Sequence, residues 1–183
     1  MLLGVGDVGA DLRHQAFHDN LTGLANRLLL RDHLRQALAR AQRGSPMAVL
    51  LLDLDGFKAV NDGLGHEAGD EVLAAVGRRL AGTIRRDDVL GRWGGDEFVV
   101  VVSSEEEQAV PALASRLHDA LSQPVAIRGL RTVELGLAIG AAEVRPGEGV
   151  DEVISRADEA MFEAKRSGQR LVLAPPPPEE GPR

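Results

Sequence analysis

Four acidic residues in two pairs carry the chemistry open to this sequence. Asp53 and Asp55 end a continuous apolar run, MAVLLLDLD; Asp96 and Glu97 follow Gly94 and Gly95 and lead into another, EFVVVV. Neighbouring carboxylates repel one another and lose solvation at the edge of a core, so acids placed there require a positive partner. Converging carboxylates suit a hard cation such as Mg2+, which prefers oxygen ligands. The two glycines let a ligand approach the backbone, and their N–H groups can bind phosphate oxygens. Metal and phosphate cradle together point to phosphoryl or nucleotidyl transfer. Taken alone, Gly94 to Glu97 reads equally as a solubilising hairpin turn. The acids that end a buried strand shift the balance to a site, because they are costly there without a partner.

The elements that must position these groups follow from periodicity. MAVLLLDLD reads as a fully buried central strand whose C-terminal end is functional. DVLGRW and EFVVVV flank Gly94-Gly95 and read as a hairpin with a Gly-Gly loop. If that hairpin lies beside the central strand, Asp53 and Asp96 meet at one edge of the sheet. Apolar spacing predicts helices over 27–43, 66–82, 105–122 and 150–164. Strands are expected over 133–144 and in RLVLA, and a further helix in ADLRHQAFHD, residues 10–19. Asn20, Thr22 and Asn26 are capping candidates ahead of the first long helix. No internal repeat is visible. The fold class is α/β: a mixed central sheet flanked by helices, with one Gly-Gly hairpin.

The formal net charge of −7 argues against a nucleic-acid footprint, which needs a clustered basic face. An anionic small substrate then needs local neutralisation. Cysteine is absent, so there is neither a disulfide framework nor a thiolate metal site. No apolar run is long enough to span a membrane, and the first residues lack the shape of a signal peptide. These features suit a cytoplasmic domain, and a membrane-anchored parent protein would accommodate it. Of 21 basic residues only Lys58 and Lys165 are lysine, in a chain that otherwise uses arginine.

GGDEF at 94–98 resembles the signature of the GGDEF family, the diguanylate cyclases, and the likeness runs further. HDNLTGLANR, DLDGFKAVNDGLGHEAGDEVL, RRDDVLGRWGGDEF and ADEAMFEAKRSGQ each resemble a family segment, in order and at family spacing. It covers roughly residues 17–173. Residues 1–16 then read as a connector from an upstream sensory domain, and 174–183 as a proline-rich, disordered tail. The resemblance implies a sheet like the polymerase palm and nucleotide cyclases. It implies condensation of two GTP into cyclic di-GMP with release of two pyrophosphates, by a homodimer holding one GTP per subunit.

Residue by residue, the resemblance implies that Asp53, Asp96 and the Leu54 carbonyl ligate Mg2+, with Mn2+ as the alternative. Glu97 would sit by the reacting hydroxyl or a second metal, and Gly94 and Gly95 would cradle phosphates. Lys58 and Lys165 fall on phosphate-contacting positions, and Phe57 packs near the nucleotide. Asn61 and Asp70 would read guanine; a buried acid at 70 accepts from N1–H and N2–H2, a donor pair adenine lacks. His66 would cap or orient the helix that carries Asp70. Gln169 stands where the family has arginine, so either Arg170 substitutes by a small shift or a phosphate contact is lost. Arg85 and Asp88 have the R-x-x-D spacing of the family's inhibitory product site. A catalytically silent domain that binds GTP or cyclic di-GMP is the competing function.

Overall fold

The computed structural model describes residues 14–128 and 131–176. The expected connector falls largely, and the proline-rich tail mostly, outside them; residues 14–17 are helical. The central strand β1, Met47–Asp55, is buried at every position but Asp55. It lies in the middle of a five-stranded sheet of order β2-β3-β1-β6-β7. Here β2 is Val89–Gly94, β3 Glu97–Ser103, β6 Gly136–Glu143 and β7 Leu171–Leu173. β1 is antiparallel to β3 and β6, and β7 is parallel to β6, so the sheet is mixed as expected.

Period-two alternation divides the core between two faces. Val49, Leu51, Val99 and Val101 pack under α1, Arg27–Gln42, and α5, Val150–Ser167. Leu50, Leu52, Phe98 and Val100 pack under α3, His66–Ala81, and α4, Ala109–Leu121. Asn26 caps α1, its Oδ1 accepting from Leu29 N–H at 3.0 Å. β1 feeds into α2, Phe57–Leu64, through Gly56 at φ +90°.

Several boundaries differ from expectation, each for a local reason. The hairpin turn is Gly95-Asp96: Gly94 still pairs with Glu97, after a bulge between Arg92 and Gly94. Gly95, at φ +49°, supplies the left-handed backbone of that turn. α4 starts at Ala109 rather than 105, which puts Pro111 in the first turn, where its missing N–H costs nothing. The stretch 133–144 splits. Its first residue belongs to β5, Arg131–Val133, which pairs with β4, Val125–Ile127, in a small separate ribbon. α3 begins at His66 with Gly65 as N-cap, so His66 does not cap it. The short helix α2 is not evident from periodicity alone.

Candidate active site at the end of the central strand

The register settles how the four acids meet. Asp53 pairs directly with Glu97 across β1 and β3, and Leu54 N–H donates to the Asp96 carbonyl at 3.3 Å. Asp53 and Glu97 share the face covered by α5. Asp53 is 7% exposed, the one buried charged residue among those described. Its Oδ2 accepts from Lys165 Nζ, which also lies 3.9 Å from Asp55 Oδ1. Its Oδ1 is buried and has no hydrogen-bond partner among the described residues.

Charge is therefore only partly balanced. Burial, then the charge of Asp53, push the Asp96 carboxyl above its ordinary range. Burial raises Glu97 too, reinforced by Asp53, Asp158 and Asp96. Burial alone would lower Lys165, but its hydrogen bond to Asp53 and the charges of Asp53, Asp55 and Asp96 outweigh that and raise it. One ammonium thus faces several carboxylates.

Among the described residues no three histidine or acidic side chains already form a ligand cage. The donor set nevertheless fits a hard cation: an orphaned buried carboxylate oxygen, and two carboxyls whose ionisation neighbouring negative charge opposes. Asp53, Asp96 and Glu97 are the side chains able to hold it.

Beside the acids, α2 opens without a side-chain cap, because its N-cap is Gly56. The first-turn N–H groups, from Phe57 onward, lack a capping side chain at the end of β1, an arrangement that attracts phosphate. Farther along, α3 approaches Asn61 at Gly69, the residue before Asp70. A Cβ built there would stand 1.9 Å from Asn61 Oδ1 and 3.3 Å from Phe57 Cζ. Phe57 is buried in the core, whereas Asp70 is exposed rather than the buried acid expected.

Not every expected residue converges. Lys58 points outward, its side chain 90% exposed and paired with Asp62 at 3.1 Å on its own helix. Arg170 is exposed; its carbonyl is held by His118 Nε2 at 2.8 Å. Arg85 and Asp88 lie before β2, the opposite end of that strand from Gly94. There Arg85 N–H donates to Asp88 Oδ2 at 2.9 Å, and its guanidinium lies 3.6 Å from Glu106.

Sequence reading missed Asp158 and Gly69. Asp158 lies seven residues before Lys165, on the same helical face, a spacing that was available as a signal. Another missed contact joins Asp19 to Arg92 at 3.2 Å, while Arg92 Nε donates to the Gly95 carbonyl at 2.9 Å. The segment before α1 thus grips the first residue of the acidic turn.

Comparison with known proteins identifies the family. Residues 16–171 match the family model described as "Diguanylate cyclase, GGDEF domain". The chain is 43% identical over 162 residues to the bifunctional diguanylate cyclase/cyclic di-GMP phosphodiesterase MucR of Pseudomonas aeruginosa, covering 87% of this chain and 23% of that protein. It is 38% identical over 167 residues to diguanylate cyclase DgcM of Escherichia coli K12, covering 89% of this chain and 39% of that one. The solved coiled coil and GGDEF domain of DgcB from Caulobacter crescentus, in complex with c-di-GMP, superposes with TM-score 0.85 at 29% identity, covering 92% and 91% of the two chains. The chain therefore spans well under half the length of these two curated relatives.

Proposed function

The chain belongs to the GGDEF diguanylate cyclase domain family, and from that premise we propose that it condenses two GTP into cyclic di-GMP and two pyrophosphates. The observation that carries this is the buried Asp53 carboxylate, paired in register with Glu97, half-satisfied by Lys165 and beside the uncapped start of α2.

In this reading Asp53 and Asp96, with the Leu54 carbonyl, hold Mg2+, and Mn2+ would serve in its place. When bound, the ion supplies Lewis-acid polarisation of the phosphoryl oxygens. The protein's own groups do the rest. The α2 N-terminus and Gly94-Gly95 orient the phosphates through N–H groups. Lys165 adds a cation beside them, and Asn61 and Asp70 read the guanine edge. Glu97, whose carboxylate is made more basic by burial and its acidic neighbours, can take up the proton of an attacking 3′-hydroxyl. One nucleotide per site means that two subunits must face each other, each hydroxyl attacking the α-phosphate held by the other. The product, bound at Arg85 and Asp88, would slow turnover; arginine's planar fork suits guanine edges and phosphate. An upstream sensory domain would set how often two subunits meet.

The test is incubation with GTP and Mg2+ followed by chromatographic separation of nucleotides, beside Asp96→Ala. Cyclic di-GMP that forms with the parent chain, disappears with Asp96→Ala and stops on chelation supports the cyclase. GTP that binds but stays intact would instead support a silent signalling module.

A further inference from the structure

The closing segment after α5 departs from the family at Gln169, and the structure shows how the next residue is held. α5 ends at Ser167 and is capped by Gly168, in the left-handed conformation at φ +70°. Gln169 N–H reaches the Ser167 hydroxyl at 3.4 Å, and its side chain is exposed. β7 then pairs with β6 from Leu171, opposite Ile139. Asp53 pairs with Ala138, so continuing the β6–β7 register one residue back from Leu171 sets Arg170 at the end of the row that holds Asp53 and Glu97, with only β6 between. Two strand spacings separate it from Asp53, roughly 10 Å.

β7 is a three-residue strand at the sheet edge, so its start is weakly held by its own ladder. His118, in the last turn of α4, supplies a second hold across 52 residues of sequence, its Nε2 2.8 Å from the Arg170 carbonyl. A carbonyl only accepts, so Nε2 carries the proton. Leu117 and Leu121 anchor this turn of α4 in the core. Burial, aided by the charge of Arg170, holds the imidazole below its ordinary value, against the hydrogen bond to the Arg170 carbonyl and the charges of Asp119 and Asp55.

We propose that His118 is a positioning residue for the nucleotide site, acting through Arg170. Its Nε2–H pins the Arg170 carbonyl and so fixes the backbone from which the exposed guanidinium, rather than Gln169, can reach the acidic row and the phosphates of GTP. The inference rests on the nucleotide reading above and adds a residue that touches no substrate.

The test compares the parent chain, His118→Leu, His118→Gln, Arg170→Ala and the Leu/Ala double variant. Steady-state kinetics with GTP and Mg2+ run beside equilibrium GTP binding and thermal melts. His118→Leu is expected to raise KM and the GTP dissociation constant about fivefold, the worth of one hydrogen bond, with kcat within about twofold. His118→Gln, which keeps an N–H donor, should recover most of the loss. In the Arg170→Ala background His118→Leu should add nothing. Additive effects, no recovery by glutamine, or a lowered melting temperature at unchanged KM would each overturn the inference. A parent chain that binds no GTP would overturn the nucleotide reading itself, and this inference with it.

Discussion

Gly140 lies where α5 presses directly on the sheet, and Gly140→Ala tests that packing. A Cβ at 140 would stand 2.1 Å from the Met161 nitrogen, 2.2 Å from the Ala157 carbonyl oxygen and 2.6 Å from Met161 Cα. All three are backbone atoms, so no rotamer change relieves the overlap. Gly140 is not among the positive-φ glycines, so the requirement is for space. Even a 3.0 Å contact makes α5 retreat by roughly 0.9 Å, in an interior packed without slack. A gap of that size forfeits about a quarter to a half of each dispersion contact along the seam made by Val153, Ala157, Met161 and Ala164. Overpacking costs about 1–3 kcal/mol, and a backbone clash belongs at the top of that range. At about 2–4 °C per kcal/mol for a chain this size, the melting temperature should fall by about 6–12 °C. Turnover should fall with it, because Lys165, one turn beyond Met161, moves off Asp53. Urea unfolding at neutral pH measures the loss, with Gly63→Ala as the matched control. Gly63 has nothing within 4 Å of its would-be Cβ, so the same change there should gain about 0.5 kcal/mol. A Gly140→Ala protein within 1 kcal/mol of the parent would refute the packing argument.

Three further outcomes are expected. Gly69→Ala pushes the Asn61 carboxamide aside, the flexible end of a side chain, so stability should change by under about 1 kcal/mol while KM for GTP rises about tenfold; an unchanged KM would detach Asn61 from guanine recognition. At Asp19, burial opposes ionisation, but the Thr22 hydroxyl and N–H and Arg92 outweigh it and lower the carboxyl. Its contribution is thus fully present above its unfolded value, near pH 4, and is lost as pH falls through the lower folded value. Asp19→Asn should cost about 2 kcal/mol at pH 7 and flatten that acid limb in urea titrations; an unaltered limb would refute the assignment. Arg85→Ala should raise at least about tenfold the cyclic di-GMP concentration that halves the rate; unchanged inhibition would place the product elsewhere.

Much of the fold is legible locally. An unbroken apolar strand ending in acids must lie central and emerge at its C-terminal end, and Met47–Asp55 does. The helical faces of α1, α3, α4 and α5 follow the 3.6-residue repeat, and Asn26 announces the start of α1. Less legible are elements whose reason lies elsewhere in the chain. α2 is eight residues long and follows a left-handed glycine, too short to show a period. Val133 reads as part of a long strand, yet pairs with Val125 in a second sheet.

The acidic residues, the glycines beside them and the two lysines are properties of the sequence alone, and with the spacing of the motifs they specify a family. Only the tertiary structure decides which of them meet. Asp53 faces Glu97 through the β1–β3 register, which the apolar pattern of neither strand reveals, because both faces of each strand are buried. Lys165 reaches Asp53 across 112 residues because Gly140 lets α5 lie on the sheet, while Lys58, five residues from Asp53, turns to Asp62 and solvent. Sequence separation carries no information about such meetings: packing of apolar faces drives them, and polar groups arrive where that packing leaves them.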